Sequence, residues 1–280
     1  MQEFDLIVIG SGPAGYTGAI RASQLGMKVA CIDMKKTLGG TCLNVGCIPS
    51  KSLLNFSEKY FEAKHHFKDI GIKSNVSLDL KQMMNKKDVI VKELCQGIES
   101  LFIKNKISKF NGIGKIINQN TVEVISDKNS EKITAKSILI ATGSSTISLS
   151  GVDIDEKKII SSNMAISLKQ VPKKLIVIGA GYIGLELGSV WHRLGSDVTV
   201  IEYADKIVPA MDHEISRNFQ KILEKQGIKF MLSTKVDNAY SKGDQAKLSV
   251  TNLADNKAQN LSADVVLVAV GRKPYTEIWV

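Results

Sequence analysis

Residues 4–33 read FDLIVIGSGPAGYTGAIRASQLGMKVACID, and residues 174–202 repeat the pattern as KLIVIGAGYIGLELGSVWHRLGSDVTVIE. Each stretch begins with an apolar strand and continues through Gly-x-Gly-x-x-Gly into a helix-length segment. Each then ends with a second apolar strand that closes on an acidic residue. A strand, a glycine-rich turn, a helix and a second strand make a βαβ unit, so the sequence predicts two such units.

The three glycines and the acid of each repeat have separate roles at a dinucleotide. The first glycine allows a sharp turn, the second lets the backbone approach a pyrophosphate, and the third lets the helix pack on the strand. The helix N-terminus offers amides to phosphates, and the acid accepts hydrogen bonds from a ribose. The residues are Gly10, Gly12, Gly15 and Asp33 in the first repeat, and Gly179, Gly181, Gly184 and Glu202 in the second.

A single Gly-x-Gly-x-x-Gly is also compatible with an ordinary turn of an α/β domain. Strand, helix and terminal acid all recur here, which favours two dinucleotide sites over that alternative. Tyr203 and Ala204 follow Glu202, with no Arg or His placed to receive a 2′-phosphate. The second site is therefore predicted to take NAD rather than NADP.

Length and composition indicate a globular chain with two domains. The chain has 280 residues, of which 44% are hydrophobic and 23% charged. Its net charge of +9 raises nucleic-acid binding as an alternative, but the basic residues are scattered rather than interleaved with aromatics, so we expect no nucleic-acid partner. No apolar run reaches the length of a membrane span, and no targeting segment is recognisable at the N-terminus. We expect a cytoplasmic chain that does not enter a membrane.

Between and after the repeats, hydrophobic periodicity predicts further elements. KSLLNFSEKYFEAKHHF and KKDVIVKELCQGIESLFIKNK are typical of helices, whereas NTVEVIS and EKITAKSILIATGSS are typical of strands. A helix is also predicted from HEISRNFQKILEKQ, with Ile215, Phe219, Ile222 and Leu223 on one face. The linker-like SSTISLSGVDIDEKK places a domain boundary near residue 150. We therefore predict an α/β protein with two Rossmann-like dinucleotide-binding domains, residues 1–149 and 150–273, and a short tail, residues 274–280.

Two cysteines lie five positions apart in GGTCLNVGCIPSK, residues 39–51. A structural disulfide is one interpretation, although so short a loop stabilises a fold by only about 2 kcal/mol. Zinc is a second, but no other Cys/His pair has ligand spacing. A redox-active dithiol is the third. Cys31 and Cys95 occur singly among apolar residues and are predicted to be inert buried thiols.

With both glycine motifs and the cysteine pair placed, the sequence resembles the flavin- and pyridine-nucleotide-dependent disulfide reductases, and among them most closely the dihydrolipoyl dehydrogenases. The matching stretches cover nearly the whole chain: GGTCLNVGCIPSK, IGAGYIGLELGSVWHRLGSDVTVIE, IVPAMDHEISRNFQKIL and LVAVGRKP. Mercuric reductase or another flavin disulfide reductase is the alternative within the same class. A dinucleotide-binding remnant without catalysis is the alternative outside it.

The resemblance implies a role for each matched residue. Cys42 would exchange with the substrate, Cys47 would be the thiolate beside the flavin, and Lys51 would approach the flavin and pair with Glu186. FAD would be bound by Gly10, Gly12, Pro13, Ala14, Gly15, Asp33, Gly40, Thr41, Lys51, Gly114, Thr142, Gly143 and Ser144. NAD would be bound by Gly179, Gly181, Tyr182, Ile183, Gly184, Glu186, Glu202, Val236 and Gly271, and no metal is implied.

The resemblance also implies an activity and partners. The reaction would be FAD-dependent oxidation of protein-bound dihydrolipoamide, with electrons passing through the Cys42–Cys47 disulfide and the flavin to NAD⁺. A lipoyl-bearing acyltransferase or the H protein of glycine cleavage would be the substrate. The family forms homodimers through a C-terminal interface domain that carries a His–Glu pair. That pattern does not occur in this sequence, so we expect an impaired fragment.

Overall fold

The structure is a computed structural model that describes residues 2–127 and 129–276. The described residues group into two compact units, each built on one of the βαβ repeats. Unit 1 contains residues 2–49, 88–145 and 273–276, and unit 2 contains residues 50–87 and 146–272. The chain passes between the units at residues 145 and 146, close to the predicted boundary. The predicted tail, 274–280, lies outside the described residues from position 277 onward.

Unit 1 is built on a mixed six-stranded sheet. Its strands are β1 (Gln2–Ile9), β2 (Val29–Asp33), β3 (Ser108–Asn111), β4 (Ile113–Asn118), β5 (Thr121–Ile125) and β6 (Ser130–Ile140). Their order is β3-β2-β1-β6-β5-β4, with parallel pairing from β3 to β6 and antiparallel pairing from β6 to β4. The helices are α1 (Pro13–Gln24), α2 (Gly40–Val45), the start of α3 (Cys47–His65) and the end of α4 (Leu80–Lys104).

Both faces of the unit 1 sheet are covered. Ile7 and Ile9 of β1 pack in one buried cluster, whereas Val8 between them packs in another with Ala19 of α1 and Phe102 of α4. Successive side chains of a strand point to opposite faces, so a strand that is apolar at every position is buried on both sides. This burial on both sides explains why the residues LIVI of β1 are all apolar instead of alternating between apolar and polar.

Unit 2 is built on a parallel five-stranded sheet. Its strands are β8 (Ile159–Ser161), β9 (Lys174–Ile178), β10 (Asp197–Ile201), β11 (Lys229–Met231) and β15 (Val265–Val268), in the order β11-β10-β9-β15-β8. A three-stranded antiparallel sheet contains β12 (Thr234–Lys242), β13 (Gln245–Asn252) and β14 (Ala258–Ala263). Besides most of α3 and the start of α4, the helices of unit 2 are the 3₁₀ helix Phe67–Ile70, α5 (Ser162–Ala165), α6 (Tyr182–Leu194) and α7 (His213–Gln226). The short strands β7 (Ser144–Thr146) and β16 (Arg272–Pro274), which lie where the chain passes from one unit to the other, pair with each other.

The units differ from the predicted domains in residues 50–87, which the sequence assigned to the first domain. In the structure this segment groups with unit 2. Nζ of Lys51 lies 2.6 Å from Oε1 of Glu186 on α6. The ammonium of Lys87, which is buried, donates to the carbonyl oxygen of Ile166 at 3.0 Å. Periodicity predicts the helices of this segment but carries no signal for these long-range contacts.

Helix α7 forms where the sequence predicts it, but its apolar face is not buried. Gly227 ends the helix in the left-handed conformation, with φ of 110°. Leu223 is buried, whereas Ile215, Phe219 and Ile222 are 53%, 37% and 55% exposed. Ser216 and Leu223, two turns apart on the same side of the helix, are both buried, so α7 packs on the rest of unit 2 through this narrow side rather than through the predicted apolar face. None of the described helices, over residues 2–127 and 129–276, is long and apolar enough to cross a membrane.

Asp155 is expected to make stability depend on pH in the acid range. Burial raises the pKa of its carboxyl, but hydrogen bonds from the Ser241 hydroxyl and three backbone amides outweigh it and lower the pKa to about 2. A folded-state pKa below the unfolded value of about 3.9 stabilises the fold above pH 4. That contribution is lost as the pH falls through about 2.

Asp155→Asn should therefore lower the free energy of unfolding by about 1 kcal/mol at pH 7. The loss should shrink between pH 4 and pH 2, because the carboxylate of the unsubstituted protein then also becomes neutral. Urea unfolding of both proteins across this range measures it. A difference that is constant from pH 7 to pH 2 would contradict the prediction.

Candidate functional site

The first and third glycines of each repeat are required by the backbone itself. Gly10 and Gly179 have φ of 101° and 103°, in the left-handed region that favours glycine. A Cβ added to Gly15 would overlap the carbonyl oxygen of Gly10, and one added to Gly184 would overlap that of Gly179. The two turns are thus built in the same way in both units.

The second glycine of each repeat faces open space instead. A Cβ on Gly181 would meet no atom within 4 Å, and one on Gly12 would meet only the Cα of Gly40, at 3.9 Å. These two residues begin α1 and α6, and neither helix has a side-chain cap. By contrast, the carboxylate of Asp212 caps the first amides of α7. The first-turn amides of α1 and α6 are therefore available to phosphate groups of a dinucleotide.

The acids at the ends of the two second strands, Asp33 as the last residue of β2 and Glu202 directly after β10, occupy equivalent positions. Asp33 accepts hydrogen bonds from the backbone amide and the hydroxyl of Ser11 (2.7 and 2.6 Å) and from the amide two residues further along (2.8 Å). Glu202 accepts from the amide of Ala180 (2.6 Å) and from the amide two residues further along (2.9 Å). Each carboxylate is held against its glycine-rich turn, with lone pairs remaining for ribose hydroxyls.

Unit 2 contains a cavity of about 600 Å³ in front of its glycine-rich turn. Seven of the nine residues predicted to bind NAD line it: Gly179, Gly181, Tyr182, Ile183, Glu202, Val236 and Gly271. Gly184 and Glu186 do not line it, because Gly184, on α6, packs against the carbonyl of Gly179 and the side chain of Val177, and Glu186 pairs with Lys51. The cavity is mostly apolar, with a carboxylate at one side and backbone amides at the helix start. Such a cavity is suited to a dinucleotide.

The cavity also has lining residues that the sequence analysis missed. They include Tyr203, Thr234, Lys235, Asp237 and Arg272. Arg272 directly follows Gly271 in the stretch LVAVGRKP, so that motif could have identified it. At the start of β12 the resemblance implied only Val236, and no local pattern indicated that its neighbours also line the cavity.

The cysteine pair joins two helices at the edge of the first glycine-rich turn. Cys42 on α2 and Cys47, the first residue of α3, form a disulfide with a Cα–Cα distance of 4.7 Å. Cys42 is half-buried and Cys47 is exposed. A helix N-terminus favours a thiolate, so Cys47 is placed to carry the negative charge when the bond is reduced.

Two backbone contacts attach α2 to the turn between β1 and α1. The amide of Gly39 donates to the carbonyl of Ser11 at 2.9 Å. A Cβ on Gly40 would lie 2.5 Å from the Cα of Gly12, so only glycine allows this approach. The structure thus brings Gly12, Gly40 and the disulfide together within unit 1. A dinucleotide bound at Gly12 would lie next to the redox-active element.

Comparison with known proteins decides the family. Residues 4–279 match the family described as pyridine nucleotide-disulphide oxidoreductase. The chain belongs to this family.

Several curated proteins are similar to this chain. It is 56% identical over 277 residues to dihydrolipoyl dehydrogenase 1, mitochondrial, of Arabidopsis thaliana. It is 54% identical over 276 residues to the dihydrolipoamide dehydrogenase of Chaetomium thermophilum and 55% identical over 277 residues to a leghemoglobin reductase of Vigna unguiculata. The matches cover 98% of this chain but only 53–55% of each relative, so the chain spans about half their length.

Solved structures give the same result for the fold. The HOCl-induced flavoprotein disulfide reductase RclA from Escherichia coli, in its Cu(II) complex, matches with a TM-score of 0.84 and 27% sequence identity. The match covers 99% of this chain and 58% of RclA. The predicted α/β fold class is confirmed, and so are FAD and a pyridine nucleotide as the cofactors of this class.

The ion pair implied by the resemblance is present in this chain. Nζ of Lys51 lies 2.6 Å from Oε1 of Glu186, and their side chains are 61% and 29% exposed. Lys51 follows Cys47 by one turn of α3, so both residues lie on one side of the helix. Their roles toward a flavin and a nicotinamide remain predictions.

We expect Lys51→Met to separate stability from reactivity. An exposed ion pair contributes at most about 1 kcal/mol, so urea unfolding should change little. The rate at which NADH reduces the Cys42–Cys47 bond in the FAD-loaded protein should fall at least about tenfold, because the cation one turn from Cys47 is lost. Lys59→Met, also exposed on α3, is the matched control. Equal rates in both variants would contradict the prediction.

The other residues predicted to bind FAD lie in unit 1, and several of them also have a structural role there. Pro13 begins α1, where its missing N–H costs nothing. Gly114 packs against the side chains of Ile9 and Ile32, which explains this glycine without a cofactor. The hydroxyl of Thr142 donates to the carbonyl of Tyr275 at 2.7 Å. The structure therefore gives Gly114 and Thr142 partners within the protein, and whether they also contact a flavin remains a prediction.

The two remaining thiols are buried, as predicted. Desolvation, and secondarily the charge of Asp33, raises the pKa of Cys31 to about 12. Burial also raises the pKa of Cys95. Neither thiol forms a thiolate readily at neutral pH, which leaves Cys42 and Cys47 as the reactive pair. Among the described residues, no group of three or more His, Cys, Asp or Glu is arranged to hold a metal ion.

Proposed function

We propose that this chain contains the cofactor-binding units of a dihydrolipoyl dehydrogenase. FAD would bind in unit 1 and NAD in unit 2, and the Cys42–Cys47 disulfide would accept electrons from a dihydrolipoyl group. The observation that carries the proposal is the disulfide at the N-terminus of α3, attached through Gly40 to the glycine-rich turn at Gly12. The identities of 51–56% to dihydrolipoyl dehydrogenases support this choice among the flavin disulfide reductases.

The disulfide exchange follows from the positions of the two sulfurs. A thiolate of the dihydrolipoyl group attacks Sγ of Cys42, the Cys42–Cys47 bond breaks, and Cys47 leaves as a thiolate stabilised by the N-terminus of α3. The second substrate thiol, as a thiolate, then attacks the substrate sulfur that is bonded to Cys42 in the mixed disulfide. Cys42 leaves as a thiolate and takes up a proton. One further proton passes to solvent. The substrate loses two electrons as it becomes a cyclic disulfide, and the cysteine pair gains them.

The residues present fit both cofactors. In unit 1 the uncapped amides of α1 would hold the diphosphate of FAD, while Asp33 is positioned by Ser11 to accept from the adenosine ribose. FAD, when bound, supplies the two-electron chemistry that connects a nicotinamide with the cysteine pair. In unit 2 the cavity at Gly181 would hold NAD, and the fixed carboxylate of Glu202 would repel the 2′-phosphate of NADP.

Partners and location extend the proposal. We propose a lipoyl group on an acyltransferase or on the H protein of glycine cleavage as the substrate, because its dithiol form can reduce the Cys42–Cys47 disulfide. A homodimer is proposed from the family alone. The cytoplasmic location predicted from the sequence remains a prediction, since the names of the Arabidopsis and Schizosaccharomyces pombe relatives place those proteins in mitochondria.

Anaerobic titration of the FAD-loaded chain with NADH tests the proposal. Two-electron reduction should produce a long-wavelength absorption band and expose two alkylatable thiols, at Cys42 and Cys47. Dihydrolipoamide should generate the same two thiols. A chain that retains no flavin, or whose cysteines stay protected, would instead be a non-catalytic dinucleotide-binding remnant. NADPH should be at least about tenfold weaker than NADH.

A further inference from the structure

Asn44 lies between the two cysteines and makes three side-chain contacts. Its amide nitrogen lies 3.1 Å from the carbonyl oxygen of Leu38 and 2.9 Å from that of Gly40. Its amide oxygen lies 3.6 Å from the thiol sulfur of Cys95 on α4. Because carbonyl oxygens can only accept, the NH₂ side of the amide must face them, and the oxygen must face the thiol. The contacts therefore fix the orientation of the side chain.

The bond to Leu38 connects the helix of Cys42 to the segment that precedes it, whereas the bond to Gly40 lies within α2. Leu38 is buried, and Gly39 and Gly40 that follow both have positive φ. The same segment is attached to the first glycine-rich turn, through the Gly39 amide and the close approach of Gly40 to Gly12. A single amide side chain thus holds α2 onto the backbone that would contact the dinucleotide.

Helix α2 needs such a connection because it is short. It has six residues and is bounded by Gly39 and Gly46, so its own hydrogen bonds do little to hold it. While the Cys42–Cys47 bond is intact, that bond fixes the end of α2 to α3. Once the bond is reduced, the two thiols are held only by the short stretch of backbone between them and by non-covalent contacts, and Asn44 provides side-chain hydrogen bonds among those contacts.

We propose that Asn44 is a positioning residue for the redox pair, and that Cys95 orients its amide. By holding α2 in place in the dithiol state, Asn44 keeps the thiols of Cys42 and Cys47 adjacent and so favours reformation of their bond. The raised pKa of Cys95 is consistent with a neutral thiol that donates. This inference rests on the proposed redox role of the pair.

The inference predicts the equilibrium between disulfide and dithiol in a dithiothreitol buffer. Dithiothreitol gives two electrons and two protons to the disulfide and becomes a cyclic disulfide. Asn44→Ala removes these contacts, and the isosteric Asn44→Asp places a second oxygen against the two carbonyls. In both variants, half of the Cys42–Cys47 bond should be reduced at a ratio of reduced to oxidised dithiothreitol at least about fivefold lower than in the unsubstituted chain. Cys95→Ala should shift the midpoint in the same direction by about twofold to threefold, since an S–H donor is weak.

The test uses the full chain without cofactors, with alkylation of the thiols and mass measurement of the peptide that contains both cysteines. Asn105→Ala is the matched control, because its amide makes an equivalent bond to the Leu101 carbonyl (2.7 Å) at the end of α4. A purely structural role would lower stability equally in both redox states and leave the midpoint unchanged. Midpoints of the Asn44 variants within about twofold of the unsubstituted chain and of Asn105→Ala would overturn the inference.

Circular dichroism of each variant in both redox states shows whether it is folded. Should both Asn44 variants fail to fold, Cys95→Ala decides, and an unchanged midpoint there would overturn the inference. Failure of the proposed function gives a different result. The unsubstituted disulfide would then equilibrate with dithiothreitol but would accept no electrons from NADH in the FAD-loaded chain.

Discussion

Replacement of Cys47 by serine should abolish electron exchange between this chain and dihydrolipoamide. The exchange needs a sulfur–sulfur bond to break at Cys42 and a leaving thiolate at Cys47, and serine provides neither. Removal of a nucleophile or leaving group from a unit that acts together costs at least about a thousandfold. Alkylation of the thiols exposed by dihydrolipoamide, and NADH formation by the FAD-loaded chain, both measure the loss.

Cys42→Ser should be equally inactive, and the double variant no worse than either single one, because the two sulfurs act as one group. The folded state should lose only about 2 kcal/mol, since the closed loop is short. Cys31→Ala is the matched control, because that thiol is buried and its pKa is about 12. Turnover above a tenth of normal in Cys47→Ser would contradict the assignment of the pair.

Much of this architecture follows from local sequence. The spacing of three glycines predicts each turn because the backbone needs glycine there. Gly10 and Gly179 have positive φ, and a Cβ at Gly15 or Gly184 would overlap their carbonyl oxygens. Apolar strands that close on an acid predict the positions of Asp33 and Glu202 for the same local reason. Structural features that depend only on residues within one repeat of about 30 residues can therefore be predicted from the sequence.

Contacts between segments that are far apart in the sequence could not be predicted from local patterns. At the start of β12 the resemblance implied Val236, but no local pattern indicated that Lys235 and Asp237 on either side of it also line the cavity of unit 2. The same is true of Lys87, whose buried ammonium at the Ile166 carbonyl helps to place residues 50–87 in unit 2. Periodicity on α7 predicted an apolar face, but burial depends on what packs there, and Phe219 is exposed.

The disulfide is an intermediate case. The spacing of Cys42 and Cys47 leaves a structural bond, zinc and redox chemistry open, and only the resemblance favours the last. The structure adds the physical reason, which is the position of Cys47 at a helix start and of Gly40 against Gly12. Asn44 lies inside the stretch GGTCLNVGCIPSK, but nothing in its residue type or spacing indicates hydrogen bonds to the carbonyls of Leu38 and Gly40.

Gly181→Ala should weaken NAD binding at least about tenfold while leaving the fold intact, which is 1.4 kcal/mol of binding free energy. A Cβ at Gly181 would meet no protein atom within 4 Å, and the residue has an ordinary φ of −73°. The chain therefore has room for alanine, so the only partner left to clash is the ligand at the first amides of α6. Calorimetric titration with NAD measures the affinity, and urea unfolding should change by less than about 1 kcal/mol.

Gly184→Ala, three residues along, should have the opposite pattern. Its Cβ would overlap the carbonyl of Gly179, and neither backbone can move without opening the contact between α6 and β9. The free energy of unfolding should fall by more than about 3 kcal/mol. A chain in which Gly181→Ala also unfolds, or binds NAD normally, would show that the space before α6 is not where the dinucleotide lies. The two substitutions add the same methyl group to neighbouring glycines, so a difference between them must come from the environment of each site, and only at Gly181 does that environment include the ligand.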